Sequence, residues 1–245
     1  MSYWFAPTGG LLTTIAKDSN ALGLASAIEV IGVFADKSTI GAEDIAALSK
    51  SIVEKGLKLR RTEKVQLTLL KLMECDVPDP VVEHLTKNFG NRVKKIPMLC
   101  ATCLTEAFVQ FGMGALKSSF PIIRDSVSQL FKSSDAATRQ AAVQLCAEIQ
   151  RWTPGILHTT LEKHLREAQI KEVTEATEAK VAEGKPRMPT VGLRRDQEKL
   201  RQAKDGSTAT ATAEFNGDDM LEDLDLGKAL RKTEYAAFKK SKVSV

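Results

Sequence analysis

Apolar residues recur at three- and four-residue spacing through most of the chain, and the pattern is clearest between Pro121 and Trp152. There Ile123, Val127, Leu130 and Phe131 share one helical face, while Ala141, Leu145, Ile149 and Trp152 share another. Between them, Ser133-Ser134-Asp135 offers side-chain oxygens to the free N–H groups at the start of the second helix. The stretch predicts two amphipathic helices joined by a tight turn. One such hairpin cannot bury its apolar faces alone, so it needs neighbours of the same kind, as in a helical solenoid.

The neighbours are legible on both sides. Trp4–Ala35 reads as a first hairpin, with Leu11, Leu12 and Ile15 before the turn Lys17-Asp18-Ser19-Asn20 and Leu24, Ile28, Ile31 and Phe34 after it. A second runs from Ile40 to Glu74 around the basic turn Lys58-Leu59-Arg60-Arg61. A third begins at Pro78, turns at Gly90-Asn91-Arg92 and continues through Leu99, Cys103, Phe108 and Phe111. A shorter fifth pair, Pro154–Lys163 and Arg166–Val181, carries an Ala/Glu/Lys-rich helix that reads as the closing cap. Asn20, Arg60, Arg92 and Arg139 recur at separations of 40, 32 and 47 residues, a loose period that brackets the roughly 40–47 of a HEAT-type helix pair. Alternating strand patterns are nearly absent. The expected fold is an all-α, HEAT-repeat α-solenoid over residues 1–182. Beyond it, 183–217 is small, polar and broken by Gly and Pro, and reads as a flexible, disordered basic linker. Residues 218–245 read as the lead-in to a further domain.

Composition adds boundaries to this picture. Of the 245 residues, 43% are hydrophobic and 27% charged, as expected of a soluble globular chain, while 5% aromatics suit thin aliphatic layers. A formal net charge of +4 is modest, so no nucleic-acid partner is expected and any electrostatic partner must meet a localised stripe. No uninterrupted apolar run reaches the roughly 18 residues of a membrane span, and MSYWFAPTGG lacks the layout of a secretory signal. Cys75, Cys100, Cys103 and Cys146 lie within apolar helical patterns, which fits a reducing, cytoplasmic setting.

Candidate chemistry is sparse. Cys100-x-x-Cys103 has the spacing of half a zinc site, but no second pair completes it, and core packing is the simpler reading. His84, His158 and His164 have no partner at a catalytic or ligand spacing. Gly112–Ser119 faintly echoes a phosphate-binding loop, yet it lacks a glycine before Lys117 and follows a helix rather than a strand. No enzyme and no cofactor are expected. What remains is the turns. In a solenoid they emerge along one edge, so Lys17, Asp18, Asn20, Lys58, Arg60, Arg61, Arg92, Lys94 and Arg139 would form a mostly basic ridge. The plainer alternative is that these charges are simply solvated.

The turn residues also carry a family resemblance. Trp4–Ala35 resembles the second HEAT repeat of a TOG domain, including Asp18-Ser19-Asn20. Lys58-x-Arg60, Asn91-Arg92-x-Lys94 and Arg139 fall where the next three repeats of that domain carry basic residues facing tubulin. Pro121-Ile122-Ile123, Leu130-Phe131 and Glu148–Trp152 resemble the first TOG domain of the Mini spindles/ch-TOG family of microtubule polymerases. Pro189-Thr190-x-x-Leu193-Arg194-Arg195-x-Gln197 is similar to the basic segment that follows that domain, and Asp218–Lys242 to the run into the second.

The resemblance implies a monomeric tubulin-binding module of a longer multi-TOG protein, located on cytoplasmic microtubules, spindle poles and centrosomes. Its implied partners are the αβ-tubulin heterodimer and microtubule ends, and its implied role is plus-end polymerisation and spindle organisation. The alternative is a HEAT scaffold without tubulin affinity. The chain departs from the family at four points. A first repeat with a tryptophan-bearing turn has no counterpart before Ser2, and the second TOG domain stops at Val245. Arg92-Val93-Lys94 replaces a usual Lys-Asn-Pro, and Ser133 stands where an acidic residue is usual.

Overall fold

Asn20 makes the first predicted turn physical. Its side-chain oxygen accepts from the amides of Leu22 and Gly23 at 2.9 and 3.2 Å, satisfying two of the orphan donors that open helix α2 (Ala21–Lys37). The computed structural model describes residues 10–37, 40–182, 184, 192–194, 196 and 197. Before the turn lies α1 (Leu11–Ile15). After α2 come α3 (Ala42–Ser51), which runs on into one π turn at Ile52–Gly56, then α4 (Thr62–Cys75) and α5 (Asp79–Lys87). The long α6 (Lys95–Ala115) follows, then α7 (Phe120–Ser126), α8 (Ser128–Phe131), α9 (Ala136–Trp152), α10 (His158–His164) and α11 (Glu167–Ala182). No strand forms among the described residues.

The helices stack in two layers. One holds α1, α3, α5, α7–α8 and α10; the other holds α2, α4, α6, α9 and α11, each packed on the next. This is the five-pair HEAT solenoid that the periodicity predicts. The core runs unbroken between the layers, from Leu12 and Ile28 through Leu69, Leu104 and Phe108 to Ile149 and Val173. Each fully buried aliphatic of this kind contributes about 1.5–3 kcal/mol. The α2–α4 approach is close enough to need a glycine: a Cβ on Gly32 would lie 2.8 Å from Thr68 Oγ1, whose hydroxyl donates to the Ile28 carbonyl at 3.2 Å.

Two expectations are refined at α6. By length and composition this helix could cross a bilayer, although no uninterrupted apolar run in the sequence suggests it. It is instead the central core helix, covered by α4 and α9. Its last turn bends at Gly112, whose φ of 71° is a left-handed conformation that only glycine adopts without strain. The residues after Gly112 then turn into α7, and the Ser119 hydroxyl is used structurally, donating to Asp79 Oδ1 at 2.7 Å.

The closing helix α11 buries only Val173, so packing alone holds it weakly. A buried carboxylate compensates. Glu148, 1% exposed on α9, accepts from Lys180 Nζ at 2.8 Å, with Arg151 Nη1 3.7 Å away. At the other end of the second layer, two residues beyond α11 pack back on its first helices. Leu193 is buried, and Arg194 donates to the Ala35 carbonyl and to Glu74 Oε1 (3.1 Å), with Asp36 3.8 Å away. Both lie in the stretch read as linker; the remainder of that stretch, with residues 218–245, is mostly outside the described residues. Hydrogen bonds to a charged group are worth about 1.5–3 kcal/mol when buried and less when half-exposed. Arg194→Ala should therefore lower the unfolding free energy by about 1–2 kcal/mol, measured by urea titration. Faster amide exchange should appear at the C-terminal ends of α2 and α4.

Candidate protein-binding edge

The turns between the two layers all lie where first-layer helices end and second-layer helices begin. Lys17, Asp18 and Asn20 occupy the first, Lys58, Arg60 and Arg61 the second, and Arg92 and Lys94 the third; all eight are exposed. Arg139 sits in the first turn of α9 and is half-buried.

Side chains from each successive pair tie these turns together. Lys55 Nζ donates to the Lys17 carbonyl at 2.6 Å, and Lys95 Nζ to the Leu59 carbonyl at 3.1 Å. The Thr138 hydroxyl, whose single proton is shared with Asp135, lies 3.2 Å from the Lys94 carbonyl, and Gln169 Nε2 donates to the Phe131 carbonyl at 3.4 Å. Phe131 ends α8, so its carbonyl is an orphan acceptor, while Lys17 and Leu59 lie just past the ends of α1 and the π turn; at helix C-termini a donor or cation is stabilising. The four links run along one edge and hold neighbouring turns in register. Sequence reasoning missed Lys55, Lys95 and Gln169 because each reaches a backbone atom, which leaves no pattern in the sequence. The π turn that brings Lys55 to the edge is equally silent there.

The electrostatics of this edge run against folding. The N-terminus of a helix carries partial positive charge and favours an anion or a short oxygen-bearing side chain. Instead Arg61 stands at the N-cap of α4 and Lys94 at that of α6, and neither helix receives a side-chain cap. Only Glu63 offsets this on α4, and α6 has no acidic residue in its first turn. Among the described residues, Lys58, Arg60, Arg61, Arg92 and Lys94 form no ion pair. An edge of unpaired cations over uncapped N–H groups is suited to carboxylates arriving from another molecule.

Not every residue of the predicted ridge is free to meet a partner. Asp18 accepts from the Asn20 amide at 2.9 Å and Asn20 caps α2, so both build the first turn. Arg139 folds back on its own turn, with Nη1 donating to the Ser133 carbonyl at 2.9 Å. Asp135 caps α9, accepting from the Thr138 amide at 2.9 Å and from its hydroxyl at 2.8 Å. Those bonds, with Lys94 and Arg139 nearby, hold its carboxyl below the usual range.

Other candidates from the sequence fall to structural roles. Cys75, Cys100, Cys103 and Cys146 are free and buried, and burial pushes the Cys103 and Cys146 thiols up to about 12. Among the described residues no group of three or more His, Cys, Asp or Glu is arranged to hold a metal. His84 is half-buried, which lowers its pKa, and His158 pairs with Glu162 at 3.2 Å.

A solenoid of helix pairs, with its turns tied along one cationic edge, is a fold of the HEAT class. Its sequence is matched by the model of the XMAP215/Dis1/CLASP TOG domain over residues 2–177, and the chain belongs to that family. It is 27% identical over 213 residues to protein mini spindles of Drosophila melanogaster, which covers 86% of this chain. It spans 10% of that relative's length. Among solved structures it resembles a chain from a study of tubulin recruitment and assembly by microtubule polymerases with TOG domain arrays. That match has a TM-score of 0.69 and 18% identity, covering 88% of this chain and 47% of the other. Drosophila melanogaster Mini spindles TOG3 aligns with a TM-score of 0.64 and 16% identity over 74% of this chain and 81% of that one. At these identities the structures show the fold alone.

Two outcomes test the geometry. Arg61→Asp supplies α4 with a cap and removes a cation from its positive end, so the variant should gain about 0.5–1 kcal/mol in chemical denaturation. For Asp135 the folded pKa is lowered, so its contribution is complete above the ordinary carboxylate range. That contribution is lost as pH falls through the lowered folded value. Asp135→Asn keeps an N-cap oxygen; it should melt near the parent at neutral pH and lose less stability than the parent on acidification, followed by circular dichroism.

Proposed function

We propose that this chain is a tubulin-binding module: it takes the αβ-tubulin heterodimer on its turn edge, with Lys58, Arg60, Arg61, Arg92 and Lys94 meeting carboxylates of the partner. The observation that carries this reading is the pair of cations at the N-caps of α4 and α6, which cost folding stability and form no ion pair among the described residues. Family membership supports tubulin as the partner, since a related array is described as recruiting and assembling tubulin. The work is steric and electrostatic, and no bond is made or broken. Charge complementarity of this kind speeds encounter and weakens with salt. Within a longer protein, a monomeric module of this type would deliver tubulin to growing microtubule plus ends and serve spindle organisation. That places it on cytoplasmic microtubules, including spindle poles and centrosomes, away from membranes and nucleic acid.

The test uses Arg60 and Arg92, which are exposed and come from successive turns. Surface substitutions of this sort usually change stability by less than about 0.5 kcal/mol. Truncating a desolvated interface charge costs about 2 kcal/mol or more. Arg60→Ala with Arg92→Ala should therefore melt like the parent and fail to co-elute with purified tubulin at low salt. A double variant that folded and bound normally would move the assignment to a plain HEAT scaffold.

A further inference from the structure

One cleft of the molecule opens beside this edge. It has a volume of about 640 Å³ and lies between the first turns of α2 and the second turn, where α4 begins. Ala21 and Ala25 leave the space because their side chains end at Cβ; Ile28 and Val65, both 1% exposed, lie deeper. At the lip stands Leu22, 81% exposed and the most solvent-exposed large apolar side chain among the described residues. Leu22 is off the stripe that α2 buries, which runs through Leu24, Ala27, Ile28 and Ile31. Packing among the described residues therefore gives no reason for a leucine there.

The opposite wall is cationic. Lys58, Arg60, Arg61 and Lys64 line it, against a single carboxylate, Glu29, which Lys64 already holds at 2.5 Å. Among the described residues, three cations are left without an ion-pair partner beside an apolar floor. A volume in the range of ligand pockets, an apolar base and a one-sign rim select a particular occupant. It is an apolar side chain flanked by Asp or Glu. A neutral apolar segment would leave the cations desolvated and unpaired, and a purely acidic one would leave Leu22 in water.

We infer that this cleft is a specificity subsite for the partner proposed above, seating an apolar side chain carried on an acidic stretch of the tubulin surface. This rests on the turn-edge reading and adds an apolar anchor to it. The anchor and the ionic contacts should separate by salt dependence, because burial of apolar surface is not screened.

The test compares three variants for binding to purified αβ-tubulin across a salt series. Leu22→Ser removes the exposed apolar group, and Ala25→Leu fills the cleft from its floor. Each should weaken binding roughly tenfold with an unchanged salt slope and a parental melting temperature. Arg92→Ala, on the third turn and outside the cleft, should weaken binding and flatten the salt slope. If Leu22→Ser and Ala25→Leu both bind like the parent while Arg92→Ala does not, the cleft is no subsite and the turn edge still stands. If Arg92→Ala also binds like the parent with an unchanged slope, the turn-edge reading fails and takes the cleft with it.

Discussion

The structure depends on the burial that one helix pair cannot achieve without the next. Each second-layer helix is packed on its neighbours, and α6 is covered by both α4 and α9. Because the pairs repeat the same hairpin, stacking them for burial also brings every intra-pair turn to the same edge. The edge is thus a by-product of core packing, and it needs no interaction of its own to exist. The side-chain links from Lys55, Lys95, Thr138 and Gln169 add register, since each fixes the height of one turn against the next. Long lysine side chains suit this because their stems lie on apolar surface while the ammonium reaches a carbonyl.

Two chemistries share the edge, and they point in opposite directions. Asn20 and Asp135 do what helix starts ask for, supplying oxygens to N–H groups and stabilising the fold. Arg61 and Lys94 do the reverse at the two helices between them. Capped starts occur at the first and fourth turns, and uncapped, cationic ones at the second and third. A fold selected only for stability would cap all four, since each cap is worth about 1 kcal/mol. The middle of the edge is where binding strength is best placed, because flanking turns then exclude water around it.

Much of this was legible in the chain. Ile123, Val127, Leu130 and Phe131 are buried together as their spacing requires, and Asp135 starts α9 as its position between two apolar runs suggests. All nine ridge residues fall at turns or helix starts, because turns interrupt the apolar period and interruption is visible. Illegible were the interactions that depend on what a side chain meets across the fold. Arg139 looks like Arg60 in sequence, yet its guanidinium is used on Ser133. Nothing in the sequence marks Glu148 as the buried counter-ion it is. The bilayer-length apolar character of α6 is spread over small and polar-interrupted positions, so it surfaces only when the helix is seen as one element.

The placement of Arg194 bears on how such a module would sit in a longer chain. Ala35 and Glu74 are at the C-terminal ends of α2 and α4, whereas the second turn lies at the N-terminal end of α4. At 1.5 Å per residue, helices of 14 and 17 residues separate those two levels by roughly 20–25 Å. Leu193 and Arg194 are therefore held at the edge away from the turns. Neither residue obstructs the turn edge. The same guanidinium pairs with Glu74 at 3.1 Å, and Lys71 pairs with Asp36 at 3.3 Å. Both carboxylates are thus engaged by cations of the fold about a helix length from the turns, where they do not compete with those of an acidic partner.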